Sequence, residues 1–212
     1  KEKKPFLVFD WKETFRPFSS ASSLMHFTPG SSTAPFFLNP FDLDHIPKHS
    51  RQGYLRHLLS VLLTVYFRDL KLLSVEGTEY LLLRAIDELS ASRKKFTFRD
   101  LYYRILSQNA SQREKDWKVS VLNLLYKLNT GPIGSVLNAP SSIPIDELAK
   151  QQTILELHWL GSPRDKSFLT QLIALQFYYH FSQKSASSAV RFLLLIEEAH
   201  NILLRHDQGY ET

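Results

Sequence analysis

The chain has 212 residues, a net charge of +5 with histidine neutral, 43% hydrophobic and 22% charged residues, and no cysteine. That length can bury one core, or one core with a subdomain. Lack of cysteine excludes a disulfide framework and a thiolate metal site, and no apolar run reaches the length of a membrane span. The mild basic excess permits a nucleic-acid partner without requiring one.

The N-terminus Lys1-Glu2-Lys3-Lys4 is charged, and the apolar stretch after it ends at Asp10, so it is no secretory signal. A cytoplasmic protein is expected. Pro5-Phe6-Leu7-Val8-Phe9-Asp10 reads as a buried strand closed by an acid. Residues 14–34, rich in Ser, Thr and Pro, read as a loop, and Phe36-Phe37-Leu38 as a short strand stopped by Asn39-Pro40.

Helical spacing then takes over. Leu55, Leu58, Leu59, Leu62, Leu63 and Tyr66 mark a helix over 51–69, and a second runs from about Glu76 to Ser90. A third begins at Thr97-Phe98-Arg99-Asp100, and a fourth follows Ser111-Gln112-Arg113-Glu114. Both tetrapeptides have the spacing of a capping box. Gly131 lies just past the fourth helix, as a terminator should. Residues 51–130 therefore read as an all-helical block.

Alternation resumes with a short helix at 143–148, a strand at 153–157 and a long helix from Ser162-Pro163-Arg164-Asp165 to about Gln183. The last strand is Phe192-Leu193-Leu194-Leu195-Ile196, an unbroken apolar run that reads as buried and parallel. The expected fold is α/β, a parallel-sheet core with an all-helical insertion. The expected division is 1–50 and 131–212 for the core and 51–130 for the insertion.

Chemistry concentrates after the last strand. Glu197 and Glu198 follow the apolar run directly. In an open parallel sheet, ligands bind at the carboxyl edge. Side chains alternate along a strand, so two adjacent acids there point differently. One can hold a metal while the other orients a water, which is a Walker B arrangement. Two Glu after an apolar run also suit the start of a solvated helix, whose dipole favours them. This stretch alone leaves both readings open.

The order of segments adds a resemblance. Asp10-Trp11-Lys12-Glu13 follows one strand, and Leu38-Asn39-Pro40-Phe41-Asp42 comes next. Leu128-Asn129-Thr130-Gly131-Pro132-Ile133-Gly134 closes the helical block, and Ile154-Leu155-Glu156-Leu157 precedes the long helix. Ile196-Glu197-Glu198-Ala199-His200-Asn201 ends the pattern. The chain resembles the HerA/FtsK class of RecA-like hexameric ATPases, closest to HerA-type DNA translocases, and is similar to type IV secretion ATPases. The resemblance implies a RecA-like core, ATP and Mg²⁺ as cofactors, a homo-hexamer, double-stranded DNA as partner and a partner nuclease. It implies that Glu197 holds the Mg²⁺ water shell and that Glu198 is the catalytic glutamate.

Two further residues are weaker candidates. Asp10 sits at a neighbouring strand tip, where it either faces the site or serves as a turn acid. His200 either couples the nucleotide site to DNA-contacting segments or caps the next helix. Glu156 and His158 flank the end of the middle strand, within reach of a nucleotide or as ordinary strand-end polar groups.

The departure from the class is the phosphate-binding loop. Gly-x4-Gly-Lys-Ser/Thr supplies backbone amides and a lysine to the phosphates. None of the seven glycines (30, 53, 77, 131, 134, 161, 209) precedes a lysine. The chain is therefore expected to be an internal fragment that starts just after that loop and is inactive alone. Two other readings compete. Glu198-Ala199-His200 suggests a superfamily 2 helicase, but the long helical block ahead of the acids argues against it. The basic and aromatic residues Arg93, Lys94, Lys95, Arg99, Tyr102, Tyr103 and Arg104 suggest a non-catalytic helical module that binds DNA or protein.

Overall fold

The computed structural model describes residues 4–18, 24–67, 72–93, 95–185 and 189–202, with only the backbone described for 72–75. Lys94 of the basic stretch and the first three residues lie outside this set.

Four strands form one sheet in the order β2-β3-β1-β4: β1 (Phe6–Asp10), β2 (Met25–Phe27), β3 (Gln152–Glu156) and β4 (Leu193–Ile196). All three pairings are parallel. Asp10 is level with Glu156, and Phe9 with Ile196. Every strand therefore ends at the same edge, and the polar residues that terminate the apolar runs gather there. The fold is α/β with a parallel core, and its helical insertion lies between β2 and β3.

The insertion contains α1 (Arg51–Tyr66), α2 (Leu72–Ser92), α3 (Phe98–Ser107) and α4 (Lys115–Asn129). The capping box at α3 forms as spaced: the Thr97 amide donates to Asp100 Oδ2 at 2.9 Å. At α4 the Ser111 amide and hydroxyl both donate to Glu114 Oε2, at 2.9 and 2.8 Å, but regular helix begins only at Lys115. Gly131 follows α4 with φ +63°, a left-handed value that glycine adopts without a Cβ penalty.

The core is continuous from sheet to insertion, with Leu7, Phe9 and Leu155 in the same cluster as Leu58, Leu62, Leu125 and Phe168. The Asn-Pro-Phe segment joins the two. Buried Asn39 donates to the Phe96 carbonyl at 3.0 Å and accepts from the Phe41 amide at 3.0 Å. Phe41 stacks on Phe96 with centroids 4.6 Å apart. Tyr54 of α1 donates its hydroxyl to the Pro40 carbonyl at 3.0 Å, and Lys95 pairs with Asp42 at 3.0 Å. This segment locks packing between the sheet and the insertion.

The sheet is completed by α5 (Gly131–Leu137), α6 (Ile145–Leu148) and α7 (Pro163–Ser182). Ser162 caps α7 by accepting from the Asp165 amide at 3.4 Å, with Pro163 in the first turn. This long helix returns the chain from β3 to β4 on the far side of β1.

Several sequence expectations need correction. Phe36-Phe37-Leu38 is not a strand: it runs irregularly, with the Leu38 amide on the Val136 carbonyl and the Phe37 carbonyl on the Ile143 amide. The strand lies inside the expected loop instead, at Met25–Phe27, where pairing with β3 supplies what a three-residue run cannot signal alone. Residues 131–137 are helical, although Gly131 and Gly134 argue locally against it. β4 is parallel as expected but not buried: Leu193, Leu194 and Leu195 are 47, 39 and 42% exposed. It is an edge strand among the described residues, with β1 as its partner.

Candidate functional site at the carboxyl edge of the sheet

Three chain segments leave the sheet side by side. After β1 comes Trp11-Lys12-Glu13, after β3 comes Leu157-His158, and after β4 come Glu197 and Glu198. Because β1 lies between β3 and β4, its loop touches both neighbours.

Asp10 builds that loop. Its carboxyl is fully buried and accepts three amides: Lys12 at 3.2 Å and Thr14 at 3.0 Å on Oδ1, Phe15 at 2.9 Å on Oδ2. A buried carboxylate with three amide donors is a loop staple, since charge-assisted hydrogen bonds fix the three amides in one turn. Nearby, the Lys166 ammonium donates to the Trp11 carbonyl at 3.1 Å, and burial holds its pKa below the ordinary lysine value against the pull of Asp10.

Glu197 continues the sheet. Its amide donates to the Phe9 carbonyl at 3.2 Å, one step beyond the β1–β4 ladder. Its carboxylate turns back across the loop, and Oε2 accepts the Trp11 amide at 2.9 Å. One oxygen is thus fixed by backbone and the carboxylate is held at the sheet edge.

Glu198 leaves the strand direction altogether. Its backbone is left-handed, at φ +50° and ψ +37°, a conformation that costs a non-glycine residue. From this turn Glu198 Oε1 pairs with the Lys12 ammonium. That hydrogen bond holds the Glu198 pKa below the ordinary glutamate value and raises that of Lys12. His200 Nδ1 lies 3.4 Å from Glu198 Oε2, on an exposed ring. The following turn is fixed by α7, whose Ser167 hydroxyl donates to the Asn201 carbonyl at 3.3 Å.

On the other side of β1, Glu156 is buried at 1% exposure. His26 Nε2 contacts Glu156 Oε2 at 2.9 Å. His158 reaches two acids, with Nδ1 3.0 Å from Glu156 Oε1 and Nε2 2.7 Å from Glu13 Oε1. Glu13 also has a left-handed backbone, at φ +63°.

The structure thus brings Asp10, Glu197, Glu198 and His200 to one edge. Three participants carried no assignment in the sequence reading. Lys12 and Glu13 were visible in the Asp-Trp-Lys-Glu motif but had no partners until β4 and β3 were placed. His26 had no signal, because it lies in a stretch that reads as loop. Three members of the basic stretch are paired with acids: Arg93 with Asp100, Lys95 with Asp42 and Asp44, and Arg104 with Glu88.

No protein-family model matches the chain, and no curated protein matches its sequence. Among solved structures, the chain is similar to VirB4 of Thermoanaerobacter pseudethanolicus. The TM-score is 0.68 at 13% identity, and the match covers 94% of this chain and 76% of that one. At that identity the likeness shows a shared fold. It supports the RecA-like α/β architecture with its helical insertion. No helix among the described residues is long and apolar enough to cross a membrane.

Proposed function

We propose that this chain carries the water-activating half of an ATPase motor, of the kind found in HerA/FtsK-class DNA translocases. The observation that supports it most is the pair of acids after β4. Glu197 is tethered to the sheet edge, and the left-handed backbone of Glu198 breaks the strand so that its carboxylate meets Lys12. Strain of this kind persists where the surrounding structure enforces it, and it clusters at working sites.

The residues fit a hydrated Mg²⁺. The Trp11 amide occupies Glu197 Oε2, which leaves Oε1 to accept hydrogen bonds from metal-bound water, as a hard cation that keeps its waters requires. When bound, Mg²⁺ neutralises charge on the transferring phosphoryl group. Glu198 is the group that orients the attacking water. It is held ionised, as a proton acceptor must be, by Lys12. For Glu198 to reach that water, the Lys12 ammonium has to release it. A triphosphate drawing Lys12 away would do both at once. His200 then borders Glu198 as a second, exposed polar neighbour, and Asp10 acts by shaping the loop that presents Lys12.

The phosphates themselves need a glycine-rich loop, which these 212 residues do not contain. The proposal therefore concerns a protein in which this chain works together with such a loop. Double-stranded DNA as the transported polymer, a six-membered ring and a nuclease partner belong to the same proposal and rest on the resemblance alone. The paired state of Arg93, Lys95 and Arg104 gives them no support.

The test is Glu198→Gln in the protein bearing its phosphate loop. Turnover should fall about 10²–10⁴-fold, the range for loss of a positioned acid–base group, while ATP binding persists. Near-normal turnover would remove Glu198 from the mechanism.

A further inference from the structure

We propose that Glu13, Glu156 and His158 bind one divalent cation of the zinc type, with His26 orienting Glu156 from outside the ligand shell. This site is separate from the acids after β4. Glu197 and Glu198 meet the β1 loop at Trp11 and Lys12, whereas Glu13 meets the β3 side.

Three observations carry the inference. The ligand atoms of Glu13, Glu156 and His158 all lie within 4.8 Å of one another. Glu156 is 99% buried, yet its Oε1 has no hydrogen-bond partner, and neither has the buried Nδ1 of His158. These two atoms lie 3.0 Å apart without the alignment of a hydrogen bond. A buried carboxylate oxygen 3.0 Å from a ring nitrogen calls for a positive centre between them, because a buried carboxylate oxygen without a partner is costly. Finally, Glu13 is held in a left-handed backbone with Oε2 on Arg16 at 2.8 Å, which leaves Oε1 turned toward His158.

The donor set selects the ion. Two carboxylates and an imidazole suit zinc and its neighbours, whereas magnesium takes oxygen ligands and retains water. The two acids contact different nitrogens of the His158 ring, Nε2 and Nδ1, so a shell with zinc bonds of about 2.0–2.2 Å forms once the ring turns to place one nitrogen between the two carboxylates. Two carboxylates balance the dication, and one coordination position remains for water. His26 Nε2, 2.9 Å from Glu156 Oε2, holds the second oxygen of that carboxylate, as carboxylate ligands of metals are held by hydrogen bonds. Bound there, the ion clips the β1 loop to the β3 turn and holds the segment that carries Lys12.

The experiment is titration of the metal-stripped protein with Co²⁺ and Zn²⁺ in millimolar Mg²⁺, read by Co²⁺ visible absorption and calorimetry. The expected result is one ion per chain with the d–d bands of a low-symmetry site, undisplaced by Mg²⁺. Glu13→Gln and His158→Gln should each weaken binding by at least about tenfold, and His26→Gln by about 10–100-fold. Glu197→Gln should leave it unchanged. Absence of stoichiometric binding, or equal binding by wild type and Glu13→Gln, overturns the proposal. Glu13 is partly exposed, so that variant remains informative if His158→Gln fails to fold. A His158 imidazolium bridging both acids without metal, seen by NMR with both ring nitrogens protonated and no Co²⁺ bands, also overturns it. Neither result bears on the role of Glu198, which is read by turnover.

Discussion

Replacement of Asp10 by alanine tests whether this acid is the staple of the site. Its carboxylate accepts from the amides of Lys12, Thr14 and Phe15 at 3.2, 3.0 and 2.9 Å, and it is fully buried. A hydrogen bond to a charged group contributes about 1.5–3 kcal/mol. The longest of the three is weak, and amides in this partly exposed loop regain some water. The net loss on Asp10→Ala is then about 3 kcal/mol. Lys166 would lose a nearby opposite charge, which adds to the cost. For a chain of this length, each kcal/mol shifts Tm by about 2–4 °C, so the fall should be about 6–12 °C. Asp10→Asn keeps one acceptor oxygen and presents an NH₂ where the other was. It should lie between wild type and alanine. Differential scanning calorimetry or urea melts measure this. A Tm for Asp10→Ala within about 2 °C of wild type would show that the loop holds itself, and that the buried carboxylate has another task.

Gly77 in α2 should not tolerate alanine, although alanine favours helix by about 1 kcal/mol. A Cβ there would lie 2.1 Å from the Trp117 ring of α4, so the overlap should win, with a net loss of about 1–2 kcal/mol in urea melts. A gain in stability would mean that the two helices pack differently. His45 and His180 both have pKa values lowered by burial, against the opposing pull of Asp42, Asp146 and Asp44 on His45 and of Asp146 on His180. Their folded state binds fewer protons than the unfolded chain, so stability should fall as pH drops below about 6.5 and through the lowered values. His45→Gln should flatten that slope, and an unchanged melting profile between pH 7 and 5 would refute the assignment.

The sequence by itself determined the class of the fold and which candidate acids stand at strand ends. Short apolar runs closed by acids mark parallel strands of an α/β core, although the longest of these runs, at β4, lies half-exposed at the sheet edge. That logic located β1, β3 and β4 and put Asp10, Glu197 and Glu198 at strand ends. Periodicity and capping spacing located the helices from 51 to 130, since an amphipathic helix repeats its apolar positions locally.

Tertiary structure decided everything that depends on neighbours. Met25–Phe27 is a strand because β3 offers it a ladder, and no three-residue run can announce that. Phe36–Leu38 has the better strand composition but meets α5 and residue Ile143 instead. Local sequence cannot say that β1 lies between β3 and β4, and that order alone makes the Asp-Trp-Lys-Glu loop the hub of the edge. It gives Glu197 the Trp11 amide, Glu198 the Lys12 ammonium and His158 the Glu13 carboxylate. These partners are separated by about 145 to 186 positions, so their meeting is a property of strand order and register, which chain-local propensity does not encode.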